Sequence, residues 1–455
     1  MLRLSLVAAI ATASAFVEDP LLGSHDGFRV EPAKAGAPTY TYMSVRDPAA
    51  LNLDGSIYGI AVCLSTVSKA NWTFSTDGGG WCYDEQLCYE RASTALGSNK
   101  TWPAEAAAMG CNPSGTMNSA RLFYGDGASR SGNVADPVAV PGNPAQKMWF
   151  RGAPSFDAAL DLLLSLGMSE AELIVFTGGS AGGLTSFLHL DHVAERMKTE
   201  APNARVVGEP VCGFFGDLPS DNAANPNVTY GARMKYVYNM QQAAASLSKD
   251  CQAAYGDDAW KCIMAPYAAN FVNTPWFALR ECAAGAALHA AQHRAHRTLP
   301  FIHCSSTHTA RIFSPPIIHC PPTHPRAHHS PPRTHTQIES RTDTWQLGNI
   351  AMLPCANSVT KCTPAQWADV QNYGPAFMEQ FKPYMTADSK NGAFLDACLI
   401  HGSTSTPIDG LHNFEAFQSW LAGNKTHGNW WTMLCDGSDT AGPCDTGPSC
   451  GKFPA

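Results

Sequence analysis

The stretch that most constrains the fold lies at residues 173–200, where an apolar run, a glycine-rich turn and a patterned segment follow one another. The run LIVF ends at Thr177, the turn reads GGSAGG, and LTSFLHLDHVAERM continues with apolar residues at helical spacing. This order predicts a strand, a tight turn and a helix. Gly178, Ser180 and Gly182 fit the pattern G-x-S-x-G, whose glycines allow a sharp bend that exposes a nucleophilic serine. The alternative is that Ser180 is only a small residue in a flexible turn.

Apolar runs on both sides of this turn alternate between strand and helix patterns. Strands are predicted within NWTFSTDGGGWCYDEQLC, ARLFYGDGASRSGN, ARVVGEPVCGFFGDL and NTPWFALR, and helices within SFDAALDLLLSLGM and PAFMEQFKPYM. We expect residues 16–50 to be irregular and the organised region to open at Leu53. Strands that alternate with helices favour an α/β fold with a mostly parallel sheet flanked by helices. A chain of 455 residues with 45% apolar content can bury the core of such a domain.

The first 15 residues have the features of a secretory signal peptide. One arginine precedes a short apolar stretch, which ends in the small residues Ala13-Ser14-Ala15. The alternative is a buried core helix. Export would place residues 16–455, which we expect to form one domain, in an oxidising compartment.

The chain has 16 cysteines, which can pair in such a compartment. Short-range disulfides are expected where cysteines lie close in sequence, although spacing does not fix their connectivity. These cysteines are Cys82 with Cys88, Cys251 with Cys262, Cys355 with Cys362, and the set Cys435, Cys444 and Cys450. Four N-x-S/T sequons, at Asn71, Asn99, Asn227 and Asn424, agree with a secreted glycoprotein.

Charge argues against nucleic acid as a partner. The net charge is −8, and no face-sized run of lysine or arginine occurs. After the N-terminus, no stretch of sequence is long and apolar enough to span a bilayer. We expect a monomer that acts on an uncharged group.

A tract rich in histidine and proline interrupts the patterned sequence. Residues 289–335 contain ten of the 16 histidines and eight prolines. Because proline breaks both helices and sheet ladders, residues 281–338 are predicted to be a low-complexity, disordered insertion. Histidine and cysteine can also bind zinc or copper, but the spacing in this tract matches no tetrahedral ligand set, so no metal or other cofactor is expected.

Several separated motifs together resemble the pectin acetylesterase family, which also contains the Notum carboxylesterases. In chain order they are DGGGWC, YGDGASRSG, FRGAPSFDAALDLLLSLGM leading into TGGSAGGL, TPWFAL, DTWQL and ACLIH. The resemblance runs from about Leu53 to His401, and its glycine loops are closest to the plant-type enzymes. It implies an α/β-hydrolase-like fold with a Ser-Asp-His triad in that chain order.

The resemblance assigns the triad to Ser180 of GGSAGG, Asp343 of DTWQL and His401 of ACLIH. A serine hydroxyl is a poor nucleophile at neutral pH, so the histidine must take its proton while the aspartate orients the imidazole. His412 in DGLHNF is a rival base, and Asp409 is a rival acid. The pair His189 and His192 has no third ligand nearby in sequence, which favours surface or core positions.

The resemblance also assigns the oxyanion hole to the backbone N–H groups of Gly80, Trp81 and Ala181. Trp81 could instead be part of the core, or its side chain could line the acyl or sugar site. Asp126 either forms a turn or helps to shape the pocket.

The resemblance therefore implies a secreted serine carboxylesterase that removes O-acetyl groups from a cell-wall polysaccharide such as pectin. One alternative is a Notum-like deacylase of a fatty-acylated protein, which would need a deep apolar pocket. Another is an inactive extracellular glycan-binding glycoprotein, in which the insertion has displaced Asp343.

Overall fold

A computed structural model of the chain describes seven ranges and two single positions, to which all structural statements refer. They are 36–220, 229–279, 343–356, 361–384, 389–395, 411–423 and 430–432, with positions 386 and 408. The predicted signal peptide, the predicted insertion and His401 lie outside the described residues.

Nine strands form the central sheet of the described part of the chain. They are β1 (Thr41–Ser44), β2 (Gly59–Cys63), β3 (Asn71–Thr76), β4 (Met117–Leu122), β7 (Leu173–Gly179), β8 (Arg205–Val211), β9 (Phe277–Leu279), β10 (Gly392–Leu395) and β11 (Trp430–Thr432). A separate hairpin consists of β5 (Val138–Val140) and β6 (Asn143–Met148).

The α-helices of the described residues lie between and after these strands. They are α1 (Glu85–Arg91), α2 (Trp102–Ala108), α3 (Gly152–Ser165), α4 (Ala181–Glu200), α5 (Tyr230–Met240), α6 (Lys249–Tyr255), α7 (Ala265–Ala268), α8 (Thr344–Asn349), α9 (Pro364–Phe381) and α10 (Asn413–Leu421). Short 3₁₀ turns connect several of them. No described helix has the length and apolar character needed to cross a membrane.

The sheet order is β1-β2-β4-β3-β7-β8-β9-β10-β11, and only the β1–β2 and β2–β4 pairs are antiparallel. The predicted α/β-hydrolase-like fold with a mostly parallel sheet is therefore confirmed. In the parallel part, Thr76 pairs with Gly178, and Gly179 pairs with Val211. The loops that follow β3, β7 and β8 therefore leave the sheet side by side, where ligands of parallel α/β sheets usually bind.

Two predicted boundaries were wrong. Residues 16–50 include the edge strand β1, whose residues are exposed or half-buried and therefore carry a weak apolar pattern. Helix α9 begins at Pro364, whereas the sequence pattern predicted a helix only from Pro375, which lies inside it. Proline is favourable in the first helical turn, and Thr363 caps that turn.

Aromatic packing joins the sheet to α3. The rings of Phe74 on β3 and Phe176 on β7 stack with centroids 4.7 Å apart, and Phe156 of α3 lies 5.5 Å from Phe176. All three side chains are at most 1% exposed. The apolar face predicted for α3 is thus the face that covers the sheet, and the helix ends just before Gly167, whose φ is 112°.

Four disulfides join pairs of described cysteines. Cys82–Cys88, Cys251–Cys262 and Cys355–Cys362 confirm the expected short-range pairing. Cys63–Cys111 was not predicted, because its two cysteines are 48 residues apart. Cys212 is also disulfide-bonded. The predicted set Cys435, Cys444 and Cys450 lies outside the described residues.

The first turn of α4 lies directly against the end of β8. A Cβ atom added to Gly183 would lie 2.8 Å from the Cα atom of Gly213 and closer still to the carbonyl oxygen of Val211. Both neighbours are backbone atoms, which cannot rotate away. Glycine at this position therefore allows the helix to start where the serine turn requires it.

We expect Gly183→Ala to lower the free energy of unfolding by about 3 kcal/mol, because the overlap with backbone outweighs the better helix propensity of alanine. Gly110→Ala is the control, since a Cβ atom there meets nothing within 4 Å. That variant should stay within about 1 kcal/mol of the wild type. Urea unfolding measures both, and equal midpoints for the two variants would contradict the packing argument.

Candidate active site

Ser180 occupies the turn between β7 and α4 in a strained backbone conformation. Its φ is 56° and its ψ is −125°, a region that residues other than glycine rarely adopt. The Ser180 N–H donates to the carbonyl of Val211 at 3.0 Å, and the Ser180 carbonyl accepts from the N–H of Leu184 at 3.0 Å. This is the strand–turn–helix geometry of a nucleophile elbow.

The glycine loop after β3 lies against this turn. A Cβ atom on Gly78 would lie 2.8 Å from the Cβ atom of Ser180 and 3.0 Å from the backbone nitrogen of Ala181. Gly79 and Gly80 follow with φ values of 144° and 65°, which suit glycine. The structure therefore brings together the loop of Gly80 and Trp81 and the turn of Ser180 and Ala181, although they are about 100 residues apart in sequence.

Asp343 is fully buried at the N-terminus of α8. Its Oδ1 atom accepts hydrogen bonds from the N–H groups of Trp345 at 2.7 Å and Gln346 at 3.1 Å, and its Oδ2 atom accepts from the Gln346 side chain at 2.9 Å. These three donors hold the carboxylate in one orientation.

Gln346 is a site residue that the sequence reasoning missed. Its Oε1 atom accepts from the hydroxyl of Tyr373 on α9 at 2.6 Å and from the N–H of Gly216 at 3.1 Å. The fully buried amide thus connects Asp343 to α9 and to the loop after β8. A glutamine three residues after an N-cap was a possible signal, since that position often belongs to a capping box.

An aromatic cluster of Trp81, Phe215, Tyr230 and Trp345 connects the acid helix to the glycine loop. The Trp81 ring centroid lies 5.6 Å from that of Trp345, 4.8 Å from Phe215 and 5.6 Å from Tyr230. Trp81 is only 4% exposed, so most of its side-chain surface is in contact with the core. The helix that begins after Asp343 is therefore held beside the loop that carries Gly80 and Trp81.

The remaining predicted residues have separate positions. Asp126 is 3% exposed, and its Oδ2 atom accepts from the N–H of Arg130 at 2.8 Å, which fits the turn alternative. Burial raises the pKa of Asp126, and Arg130 opposes this increase. His412 is exposed at the start of α10, where its backbone N–H donates to the Glu415 carboxylate at 2.9 Å. His401 and Asp409 lie outside the described residues.

The histidine pair on α4 is divided between core and surface, as the sequence favoured. His189 is 2% exposed, and its Nε2 atom has no hydrogen-bond partner among the described residues. His192 lies at the surface, with Nε2 2.6 Å from Oδ1 of Asp157. Within the described ranges, no three histidine, cysteine, aspartate or glutamate side chains form a group that could hold a metal ion.

Comparisons with known proteins agree with the motifs quoted from the sequence. The model of the Pectinacetylesterase family matches residues 34–307. Pectin acetylesterase 5 of Arabidopsis thaliana is 32% identical over 241 residues, which are 51% of this chain and 54% of that protein, so the alignment spans about half of the relative's length. Pectin acetylesterase 11 of the same plant is 26% identical over 388 residues, which cover 78% of this chain and 80% of the relative.

A solved structure shares the fold. The Wnt deacylase Notum from Drosophila superposes with a TM-score of 0.61 at 16% sequence identity, covering 87% of this chain and 99% of that chain. At this identity, the likeness concerns the fold alone.

We expect His189 to make stability dependent on pH. Burial lowers the pKa of His189 to about 3, so below pH 6.5 the unfolded chain takes up a proton that the folded chain does not. The stability of the wild type should therefore fall by about 2 kcal/mol between pH 8 and pH 5 through this group alone. Over the same pH range, the free energy of unfolding of His189→Gln should fall by about 2 kcal/mol less than that of the wild type, as measured by urea unfolding at each pH. Parallel curves for the two proteins would contradict this assignment.

Proposed function

The chain belongs to the Pectinacetylesterase family, a family of carboxylic ester hydrolases, and on this premise we propose that it is a serine esterase that removes O-acetyl groups from a cell-wall polysaccharide such as pectin. The observation that carries the proposal is the contact between the strained turn of Ser180 and the glycine loop of Gly80 and Trp81. An elbow with backbone donors beside it is the arrangement that acyl transfer through serine requires.

In the proposed reaction, the Ser180 hydroxyl attacks the acetyl carbonyl while His401 takes its proton. The N–H groups of Gly80, Trp81 and Ala181 stabilise the negative charge on the carbonyl oxygen. The tetrahedral intermediate expels the sugar alcohol, which receives the proton from His401. Water activated by His401 then hydrolyses the acetyl-enzyme and releases acetate. These steps use only groups of this chain and water.

Asp343 is proposed to hold the imidazole of His401 in one tautomer and to stabilise its charged form. Three hydrogen bonds within the start of α8 support this role, because they keep the carboxylate in one orientation. The links from Gln346 to α9 and to the loop after β8 add a second layer of support.

We further propose that the enzyme is exported and acts outside the cell. Four disulfides between described cysteines support this, because such bonds persist in oxidising compartments. The N-terminal sequence ending in Ala13-Ser14-Ala15 and the four sequons point the same way.

A longer acyl chain is the second candidate substrate. Notum from mouse, named a palmitoleoyl-protein carboxylesterase, is 29% identical to this chain over 174 residues, which cover 36% of this chain. The Arabidopsis pectin acetylesterase 11 aligns over 78% of the chain, which favours the acetyl substrate. Both candidates use the same serine, so acyl length distinguishes them.

We expect purified wild type to release acetate from acetylated pectin and Ser180→Ala to do so at least about 10³-fold more slowly. Wild type should also hydrolyse p-nitrophenyl acetate faster than p-nitrophenyl palmitate. The reverse preference would favour the deacylase. Failure of a fluorophosphonate probe to label Ser180 in folded protein, together with no acetate release, would favour the inactive glycan-binding alternative.

We expect Asp343→Asn to lower kcat by about 10³- to 10⁴-fold, because the amide loses the charge that the imidazolium needs. Asparagine can keep the cap through its oxygen, but its NH2 group would face the Gln346 amide that Oδ2 now accepts, so the free energy of unfolding should fall by about 1 to 3 kcal/mol. Asp84→Asn is the matched control, since Asp84 caps α1 through the N–H of Leu87 at 2.8 Å. Full activity of Asp343→Asn, with loss of activity in Asp409→Asn, would transfer the role to Asp409.

A further inference from the structure

The hydroxyl of Ser129 connects the two segments that carry the proposed oxyanion hole. Its Oγ atom accepts a hydrogen bond from Nε1 of Trp81 at 2.9 Å and donates to the carbonyl of Ala181 at 2.8 Å. Trp81 follows β3, whereas Ala181 follows β7. Ser129 is fully buried, so water cannot replace either bond without a rearrangement.

Tyr124 makes a second connection to the same place. Its hydroxyl donates to the carbonyl of Gly80 at 2.8 Å and accepts from the N–H of Ser129 at 3.1 Å. That carbonyl belongs to the peptide unit that carries the Trp81 N–H. Because a peptide unit is planar, a bond that fixes its oxygen also fixes the direction of its N–H. Burial raises the pKa of Tyr124, so the hydroxyl keeps its proton and remains a donor.

The segment that carries Ser129 is held in a costly backbone conformation. Ser129 and Arg130 have φ values of 51° and 60°, in the left-handed region. Arg130 offsets this cost by donating to the carbonyls of Leu122 at 2.6 Å and Phe123 at 2.9 Å. Asp126 accepts the N–H of Arg130 and closes the turn. Strain that the surroundings maintain in this way is typical of functional sites.

We propose that Ser129, with Tyr124, is a positioning residue that sets the distance between the Trp81 and Ala181 halves of the oxyanion hole. Stabilisation of an oxyanion depends on donors that are already in place before charge develops. A hydroxyl that bonds to both halves, and a phenol that orients the Trp81 peptide, supply that preorganisation. The inference rests on the proposed function and deepens it, because it assigns roles to two residues that do not touch the substrate.

The test compares Ser129→Ala with Ser131→Ala, two buried serines of one loop. Ser131 is also fully buried, but its hydroxyl donates only to the nearby carbonyl of Ala128 at 2.6 Å. With p-nitrophenyl acetate, Ser129→Ala should lower kcat about 10-fold and leave KM within about 2-fold, since complete loss of one oxyanion donor costs about 10²- to 10³-fold. Ser131→Ala should keep the kcat of the wild type.

A transition-state analogue separates positioning from a general loss of structure. A trifluoromethyl ketone adds to the nucleophilic serine and places an oxyanion in the hole, so its affinity should fall by the same factor as kcat. Tyr124→Phe retains the ring and should shift both quantities in the same direction. In the double variant the loss should be smaller than the product of the single losses, because both residues position Trp81 and are themselves hydrogen-bonded to each other.

Two outcomes overturn different claims. Unchanged kcat and analogue affinity in Ser129→Ala and Tyr124→Phe, with a wild type whose activity depends on Ser180, would overturn the positioning role and leave the esterase intact. A folded wild type that neither hydrolyses the ester nor reacts with the analogue would overturn the proposed function itself. If Ser129→Ala does not fold, Tyr124→Phe carries the test alone.

Discussion

The close contact between the end of β3 and the first turn of α4 is the constraint on which the rest of the site depends. A Cβ atom on Gly182 would lie 2.8 Å from the carbonyl oxygen of Asp77 and closer still to that of Thr76. The hydroxyl of Thr76 donates to the Gly182 carbonyl at 2.9 Å. Backbone therefore packs on backbone here, and this contact places the glycine loop beside Ser180. The proposed oxyanion donors, which belong to two distant segments, can converge only because no side chain intervenes.

The sequence was informative wherever structure depends on local pattern. The strand, turn and helix around Ser180 follow from an apolar run, a glycine-rich turn and helical spacing, and three disulfides follow from cysteines close in the chain. Strand β1 could not be predicted in this way, because an edge strand buries too little surface to show an alternating pattern. Cys63–Cys111 depends on the pairing of distant segments, which spacing alone does not reveal.

The sequence could nominate only those site residues that lie in a motif. Ser180, Asp343 and the glycine loop each lie in a recognisable motif, whereas Gln346, Ser129 and Tyr124 matter through partners that are distant in sequence. Gln346, for example, binds Tyr373 on α9 and Gly216 after β8. Hydrogen bonds of this kind are fixed by the assembled fold. They are absent from any single stretch of the chain, so only the structure could identify them.

The T-shaped contact between Trp81 and Trp345 has a spectroscopic consequence. The two indole rings, 5.6 Å apart, belong to the glycine loop and to the helix that Asp343 begins. Indole emission depends on the polarity and the proximity of neighbouring groups, so any separation of these two segments changes the fluorescence of both rings. The indole pair at the junction of the proposed acid and the proposed oxyanion hole should therefore contribute a change in emission when the two segments separate, on top of the signal of the other nine tryptophans of the 11 in the chain.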